Sequence, residues 1–289
     1  PFHLAGALPF IVGSLLALRM ARAFNLPVFL WGLGAVVLIM SSANFNGEIY
    51  DLNEDKFSAK LGKSPFYGGS QVIVDGLVSP EKVNLASCLI IIIAFAIGLL
   101  LQFYFKTGPW TIPLGLTGII TGFYYSKPPF RWVKRGIGEL LIAYSYGWLP
   151  VAVGFYLQTG SINSHLCWIS IPIACSIFNV VLINEFPDYD ADIQADKRNL
   201  VVRLGKDKAA LIYVLIAITG IITFLISLTK GLPLTGGLFY LPLGIISLTA
   251  LFMVAAGRFK EKVWLERVCL LTLLVNVGTN LVYIAALIF

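Results

Sequence analysis

The chain has 289 residues, 58% of them hydrophobic and 12% charged, with a net charge of +6. Soluble domains carry about a quarter charged residues, so this composition excludes an ordinary soluble enzyme. A mean hydropathy of +0.85 spread over the whole length also excludes a soluble domain held by one anchor, and neither end resembles a cleaved signal peptide.

Apolar runs of roughly 17 to 25 residues can cross a bilayer as helices. In chain order they cover 4–24, 26–50, 83–105, 109–125, 137–157, 165–183, 209–229, 234–256 and 263–289. The first two meet near Asn25 and Pro27, and the fourth is short, which predicts a tilted or partly interfacial helix. The expected fold is all-α: a polytopic membrane protein with nine transmembrane helices in a bundle. One domain, 1–289, would hold two pseudo-repeated halves of about 1–135 and 136–289. The apolar residues run on without alternating, which excludes a β-barrel. Cys88, Cys167, Cys175 and Cys269 lie in apolar runs without a Cys-x-x-Cys pair, so free thiols are expected in place of disulfides or zinc.

The basic residues are distributed unevenly. Loops after helices two, four, six and eight hold 17 Lys and Arg, against Arg19, Arg22, Lys106 and Lys230 on the other face. The positive-inside rule then predicts an integral protein of the cell (inner) membrane, with the N-terminus and the basic loops cytoplasmic. Short basic loops between apolar spans read as orientation signals and membrane-lipid contacts, not as a nucleic-acid surface. No obligate protein partner is inferred.

Of 15 acidic residues, nine fall in two stretches, one ending the second helix and one following the sixth. Glu48, Asp51 and Asp55 repeat 137 positions later as Glu185, Asp188 and Asp192, both as Glu-x-x-Asp-x-x-x-Asp. Positions i, i+3 and i+7 share one face of a helix. Like charges on one stripe at the end of an apolar span repel and lose hydration unless a cation joins them. Mg²⁺ suits such a site, because it takes one or two carboxylates and completes its shell with water and phosphate oxygens. The expected active site therefore lies at the cytoplasmic face, where two acidic helix ends hold a diphosphate through Mg²⁺.

Basic residues on that face can bind the outer diphosphate oxygens and stabilise the leaving group. Lys197 and Arg198 follow the second motif, and Lys127, Arg131, Lys134 and Arg135 fill the loop after helix four. Aromatic residues gather at the same depth, among them Phe45, Tyr124, Tyr125 and Tyr144. Besides forming an interfacial belt, such rings can stabilise an allylic cation in a water-free site.

These features resemble the UbiA superfamily of intramembrane prenyltransferases, whose members carry Asp-rich motifs after the second and sixth of nine helices. The resemblance spans nearly the whole chain and is nearest to the branch that prenylates 1,4-dihydroxy-2-naphthoate for menaquinone. It rests on Gly68-Gly-Ser-Gln-Val-Ile-Val-Asp-Gly-Leu-Val-Ser-Pro80, on Tyr124-Tyr-Ser-Lys-Pro-Pro with Gly136-Ile-Gly-Glu139, and on Asp188-x-x-x-Asp192 running into Lys197-Arg-Asn-Leu-Val-Val-Arg-Leu-Gly205. It implies that Asp51, Asp55, Asp188 and Asp192 are catalytic and bind Mg²⁺ and the diphosphate. It also implies that loops with Tyr67, Lys127, Arg131, Lys197 and Arg198 close over the headgroup. Gly47 stands where relatives often have Asn, which makes Asn44, a turn earlier, a substitute ligand beside Glu48; Glu185 and Pro187 replace an Asp and an Arg. Phe45, Tyr124, Tyr125, Tyr144 and Asn184 are the expected substrate-lining or cation-stabilising residues. The implied reaction transfers a prenyl group from an allylic prenyl diphosphate to a hydrophobic acceptor, an aromatic quinone precursor, with Mg²⁺-assisted ionisation and release of pyrophosphate. Asp75 and Glu139 are conceivable bases for the acceptor. The alternatives are a glycerophosphate lipid acceptor and, in a different class, a secondary transporter, whose ionisable groups normally lie near the midplane instead of at span ends.

Overall fold

The computed structural model describes residues 2–52 and 72–289. These form an all-helical bundle: α1 (Phe2–Ala21), α2 (Leu26–Tyr50), α3 (Pro80–Tyr104), α4 (Thr111–Phe123), α5 (Gly138–Thr159), α6 (His165–Asn184), α7 (Tyr189–Gln194), α8 (Leu200–Leu204), α9 (Lys206–Thr229), α10 (Thr235–Ala255) and α11 (Lys262–Ile288). All four cysteines are free.

Local chemistry sets the ends of these helices. Asn25 caps α2 by accepting the Val28 N–H at 3.2 Å, with Pro27 in the first turn, and so separates α1 from α2 where the apolar runs meet. Pro80 opens α3, whose last turn, Leu100–Tyr104, is π-helical. A second π turn, Tyr144–Trp148, interrupts α5 just before Pro150. Proline offers no N–H to the carbonyl four residues back and its ring crowds that turn, so the helix widens there.

Among the described residues, eight helices have the length and apolar composition to cross a membrane. The expected fourth span is the exception: α4 is helical over only 13 residues, about 20 Å of rise. At its start, Gly108 turns the chain at φ +110° and the Tyr156 hydroxyl accepts the Trp110 N–H at 3.0 Å. At its end, the Asn46 amide donates to the Phe123 carbonyl at 2.8 Å. Asn46 is held in turn by the Ser87 hydroxyl at 2.9 Å, and Ser87 bonds Ser42 at 2.8 Å. This buried network ties α2, α3 and α4 together where apolar packing alone supplies little specificity between helices in lipid.

The centre of the bundle is α1, α5, α6 and α11, sharing one apolar cluster that includes Val12, Val151, Phe155, Ile173 and Tyr283. Here helices approach at backbone distance. A Cβ added at Gly13 would sit 2.0 Å from the Val151 carbonyl oxygen, and one at Gly147 would lie 2.5 Å from the Ala174 Cα. Large apolar side chains such as Ile92, Leu241, Ile245 and Phe252 face outward, as lipid-facing surfaces require. The ends of α2 and α6 that carry Asp51 and Glu185 lie on the same face of the bundle as Ser126, Arg131 and Lys197.

Candidate active site

Helix α2 ends at Tyr50, and Asp51 caps it, its N–H bonding the Gly47 carbonyl at 2.9 Å. One carboxylate oxygen of Asp51 accepts the buried Ser126 hydroxyl at 2.6 Å. The Arg131 guanidinium donates to the Tyr50 carbonyl at 2.9 Å, so the loop after α4 is fastened to the end of α2 at two points. Arg131 stands in left-handed backbone at φ +45°, and its Nε–H is buried without a hydrogen-bond partner among the described residues. A buried charged donor left open in this way fits an anionic ligand. Lys127 lies 4.3 Å over the Phe123 ring and donates to the Asn84 side chain at 3.1 Å.

The second motif does not lie on one continuous helical stripe, contrary to what its spacing suggests. Pro187 cannot continue α6, so Glu185 becomes its C-cap and Asp188 starts the separate helix α7, on which Asp192 follows one turn later. Asp192 is buried; Lys197 pairs with one of its oxygens at 3.3 Å and the Asn199 amide donates to the other at 2.6 Å. Burial raises the Asp192 carboxyl above its ordinary range, with Lys197 pulling the other way. Burial opposes the charge on Lys197, but Asp192, Asp51, Glu185 and Asp188 outweigh it and hold the ammonium above its ordinary range. Both acidic motifs thus converge on one lysine. Tyr125 lies among the same groups: burial first, then Glu185, Glu139 and Asp51, raise its phenol well above the ordinary value.

The donor set suits Mg²⁺. No group of three or more His, Cys, Asp and Glu side chains forms a metal cluster among the described residues, whereas carboxylates from both helix ends act electrostatically on Lys197. Hard oxygen donors in ones and twos, in excess over the local ammonium, match an ion that keeps water and phosphate oxygens in its shell.

Below the site, α2, α3, α4 and α5 line an open apolar chamber, with Ala43, Gly98, Leu101, Gly115, Gly122 and Tyr146 among its walls. Gly98 and Gly115 face open space, since a Cβ at either would meet nothing within 4 Å. Ala43 and Gly122 lie toward the motif end, and Leu101, Thr111 and Leu157 toward the opposite face.

The remaining sequence-predicted residues are placed as follows. Asn44, Phe45 and Glu48 lie in the last turns of α2, half-buried, and Asn184 ends α6. Tyr124 packs edge-on against Phe123 and Phe130. Tyr144 stacks on Trp148 and bonds Thr117 at 3.2 Å, while Tyr146, two residues on, lines the chamber. Arg198 is exposed and pairs with exposed Asp196 at 3.0 Å, pointing away from Lys197 and its carboxylates. Asp55 and Tyr67 lie outside the described residues.

The model of the UbiA prenyltransferase family matches residues 7–287. The chain belongs to this family. Among curated UbiA-type relatives, it is 27% identical over 203 residues to a 1,4-dihydroxy-2-naphthoate octaprenyltransferase of Bacillus subtilis, covering 70% of this chain and 62% of that protein. It is 26% identical over 207 residues to a 2-carboxy-1,4-naphthoquinone phytyltransferase of Synechocystis, covering 71% and 64%. The chain thus matches somewhat under two thirds of these relatives' own length. Among solved structures, a UbiA homologue from Aeropyrum pernix K1 is similar in fold, with a TM-score of 0.72 at 19% identity over 99% of this chain and 97% of that one. A UbiA homologue from Archaeoglobus fulgidus bound to GPP and Mg²⁺ gives a TM-score of 0.62 at 15% identity over 98% and 96%.

Within this UbiA chain, sequence reasoning missed Ser126 and Asn199, both neutral residues bonded to motif carboxylates. Asn199 carried a signal as the N-cap of α8, where its side chain accepts the Val202 N–H at 2.8 Å.

Proposed function

We propose that the chain transfers a prenyl group from an allylic prenyl diphosphate to a hydrophobic aromatic acceptor of the quinone-precursor class, releasing pyrophosphate at the cytoplasmic face of the cell membrane. The observation that carries this reading is the buried Lys197–Asp192 pair at 3.3 Å, with the charges of Asp51, Glu185 and Asp188 acting on the same lysine, above an apolar chamber lined by α2, α3, α4 and α5. A charged head and a hydrocarbon tail need these two environments side by side. The names of the naphthoate and naphthoquinone relatives support the choice of acceptor.

Asp51, Asp188 and Asp192 would hold Mg²⁺, with Asp55 completing the first motif; the ion supplies charge that offsets the departing pyrophosphate. Lys197 and the open Nε–H of Arg131 bind diphosphate oxygens, and Lys127 adds charge at the rim. As the bond from the allylic carbon to oxygen breaks, its electron pair leaves with pyrophosphate. A ring carbon of the acceptor then forms the new carbon–carbon bond, and the ring regains aromaticity as that carbon loses the proton it carried or, where it bears a carboxylate, carbon dioxide. The chamber keeps water from the allylic cation, and Tyr125 and Tyr146 supply ring faces near it. Lateral entry from lipid suits a donor whose tail is insoluble.

The test is pyrophosphate release by the purified protein in detergent, with geranylgeranyl diphosphate and a dihydroxynaphthoate. Release that needs both Mg²⁺ and the naphthoate is expected. Release with a glycerophosphate acceptor alone would replace the acceptor class, and no release with any donor would overturn the reading.

A further inference from the structure

Two buried glutamates stand beside the site without a role in it. Glu139 is 1% exposed and Glu185 is 7% exposed. One oxygen of Glu139 accepts the backbone N–H of Leu200 at 2.8 Å. The Oε2 atoms of both residues are buried without a donor among the described residues, and the two side chains are placed to hydrogen-bond each other. Two carboxyl oxygens can do so only with a proton between them. Glu139 is in the first turn of α5, where the helix dipole favours a carboxylate, and Glu185 caps the C-terminus of α6, where the dipole disfavours one. Burial first, and then Glu139, keep the Glu185 carboxyl well above its ordinary range, against Lys197.

We propose that Glu139 and Glu185 form a carboxyl–carboxylate latch that positions Lys197, by holding the 199–200 backbone against the start of α5. The segment from Lys197 to Leu200 has two sets of anchors. At one end Asp192 takes the Lys197 N–H through its carbonyl at 2.9 Å, and the Lys197 and Asn199 side chains through its carboxylate. At the other end Glu139 accepts the Leu200 N–H, while the Arg203 Nε–H donates to the Arg198 carbonyl at 2.7 Å. Asp196 just before this segment has φ +50°, so the turn is held in backbone that L-residues disfavour. Without Glu139 the turn loses its tie to the start of α5, and Lys197 is held less firmly against the carboxylates. In this role Glu139 and Glu185 are positioning residues, and neither needs a negative charge that moves during the reaction.

The inference rests on the proposed reaction only for its effect on turnover, so the experiment reads position and turnover separately. In the purified full chain, the rate at which a water-soluble amine reagent acylates Lys197 is followed by mass spectrometry, with pyrophosphate release measured in parallel. Glu139→Gln keeps an acceptor for Leu200 and can still pair with Glu185; acylation and kcat should stay within about threefold of the parent. Glu139→Leu removes the anchor, and acylation should rise at least tenfold. Leu200→Pro is a second, milder variant. It deletes only the N–H, at the first position of a helix where proline is tolerated, and should give the same rise should Glu139→Leu fail to fold. Unchanged acylation in Leu200→Pro would overturn the latch, whether or not the protein releases pyrophosphate. Loss of turnover in Glu139→Gln as severe as in Glu139→Leu would also overturn it, because the charge and not the anchor would then matter.

Discussion

Gly115 faces the open interior of the chamber, and filling that space tests whether a prenyl tail lies there. A leucine at this position adds four carbons where a Cβ meets no atom within 4 Å, so Gly115→Leu should fold normally. Helix propensity alone favours it by close to 1 kcal/mol. Gly115 stands seven residues from Gly122, so the new side chain blocks the chamber about 10 Å below the motif end of α4. Four carbons displace most of one five-carbon isoprene unit. At about 0.8 kcal/mol per buried CH₂ the long donor loses about 3–4 kcal/mol, a factor of about 10² to 10³. The assay is pyrophosphate release as a function of donor concentration, with dimethylallyl and geranylgeranyl diphosphates compared on the same preparation. KM for the long donor should rise by that factor while the short donor keeps its kcat/KM. Equal behaviour of the two donors in Gly115→Leu would refute the assignment of the chamber to the tail.

Other expectations follow from the site and the packing. Asp51→Asn and Asp188→Asn should each lower pyrophosphate release at least ~10³-fold, the scale on which charge stabilisation of a leaving group acts, while the thermal midpoint stays within about 2 °C. Ser126→Ala removes a hydrogen bond to an ionised group, worth about 1.5–3 kcal/mol, and should raise the Mg²⁺ concentration for half-maximal rate about tenfold. Chelation by EDTA should abolish release and added Mg²⁺ should restore it; activity that survives exhaustive chelation would rule out a metal requirement. Gly13→Ala forces a methyl to within 2.0 Å of the Val151 carbonyl, and a loss of about 3 kcal/mol is expected from such overpacking, read as a lower thermal midpoint in detergent.

The apolar spans and the repeated acidic spacing were legible in the sequence because each depends on residues close together in the chain. Three features were not. The break at Pro187 had a local signal, yet a repeated i, i+3, i+7 pattern favours a continuous stripe, and one backbone constraint decides the geometry. The shortness of α4 comes from long-range capping, since Asn46 and Tyr156 hold its two ends from 77 and 46 residues away. The different directions of adjacent Lys197 and Arg198 depend on the positive φ of Asp196 and on Asp192 capturing the lysine. Composition and spacing cannot report such choices. Glu139 was visible as a candidate base, but its bond to Leu200 joins positions 61 apart, and only the folded chain brings them together.

The short α4 has a consequence for how a membrane-borne donor reaches the carboxylates. A hydrocarbon layer of about 30 Å surrounds a helix of about 20 Å, so the rim of the bundle is notched where α4 stops at Phe123. Lipid beside the notch must thin, or its headgroups must sink, to meet Ser126 and Lys127. In the proposed reaction, a diphosphate arriving along the bilayer would then stay in the headgroup layer as it slides in, and keep most of its hydration until Arg131 and Lys197 replace it.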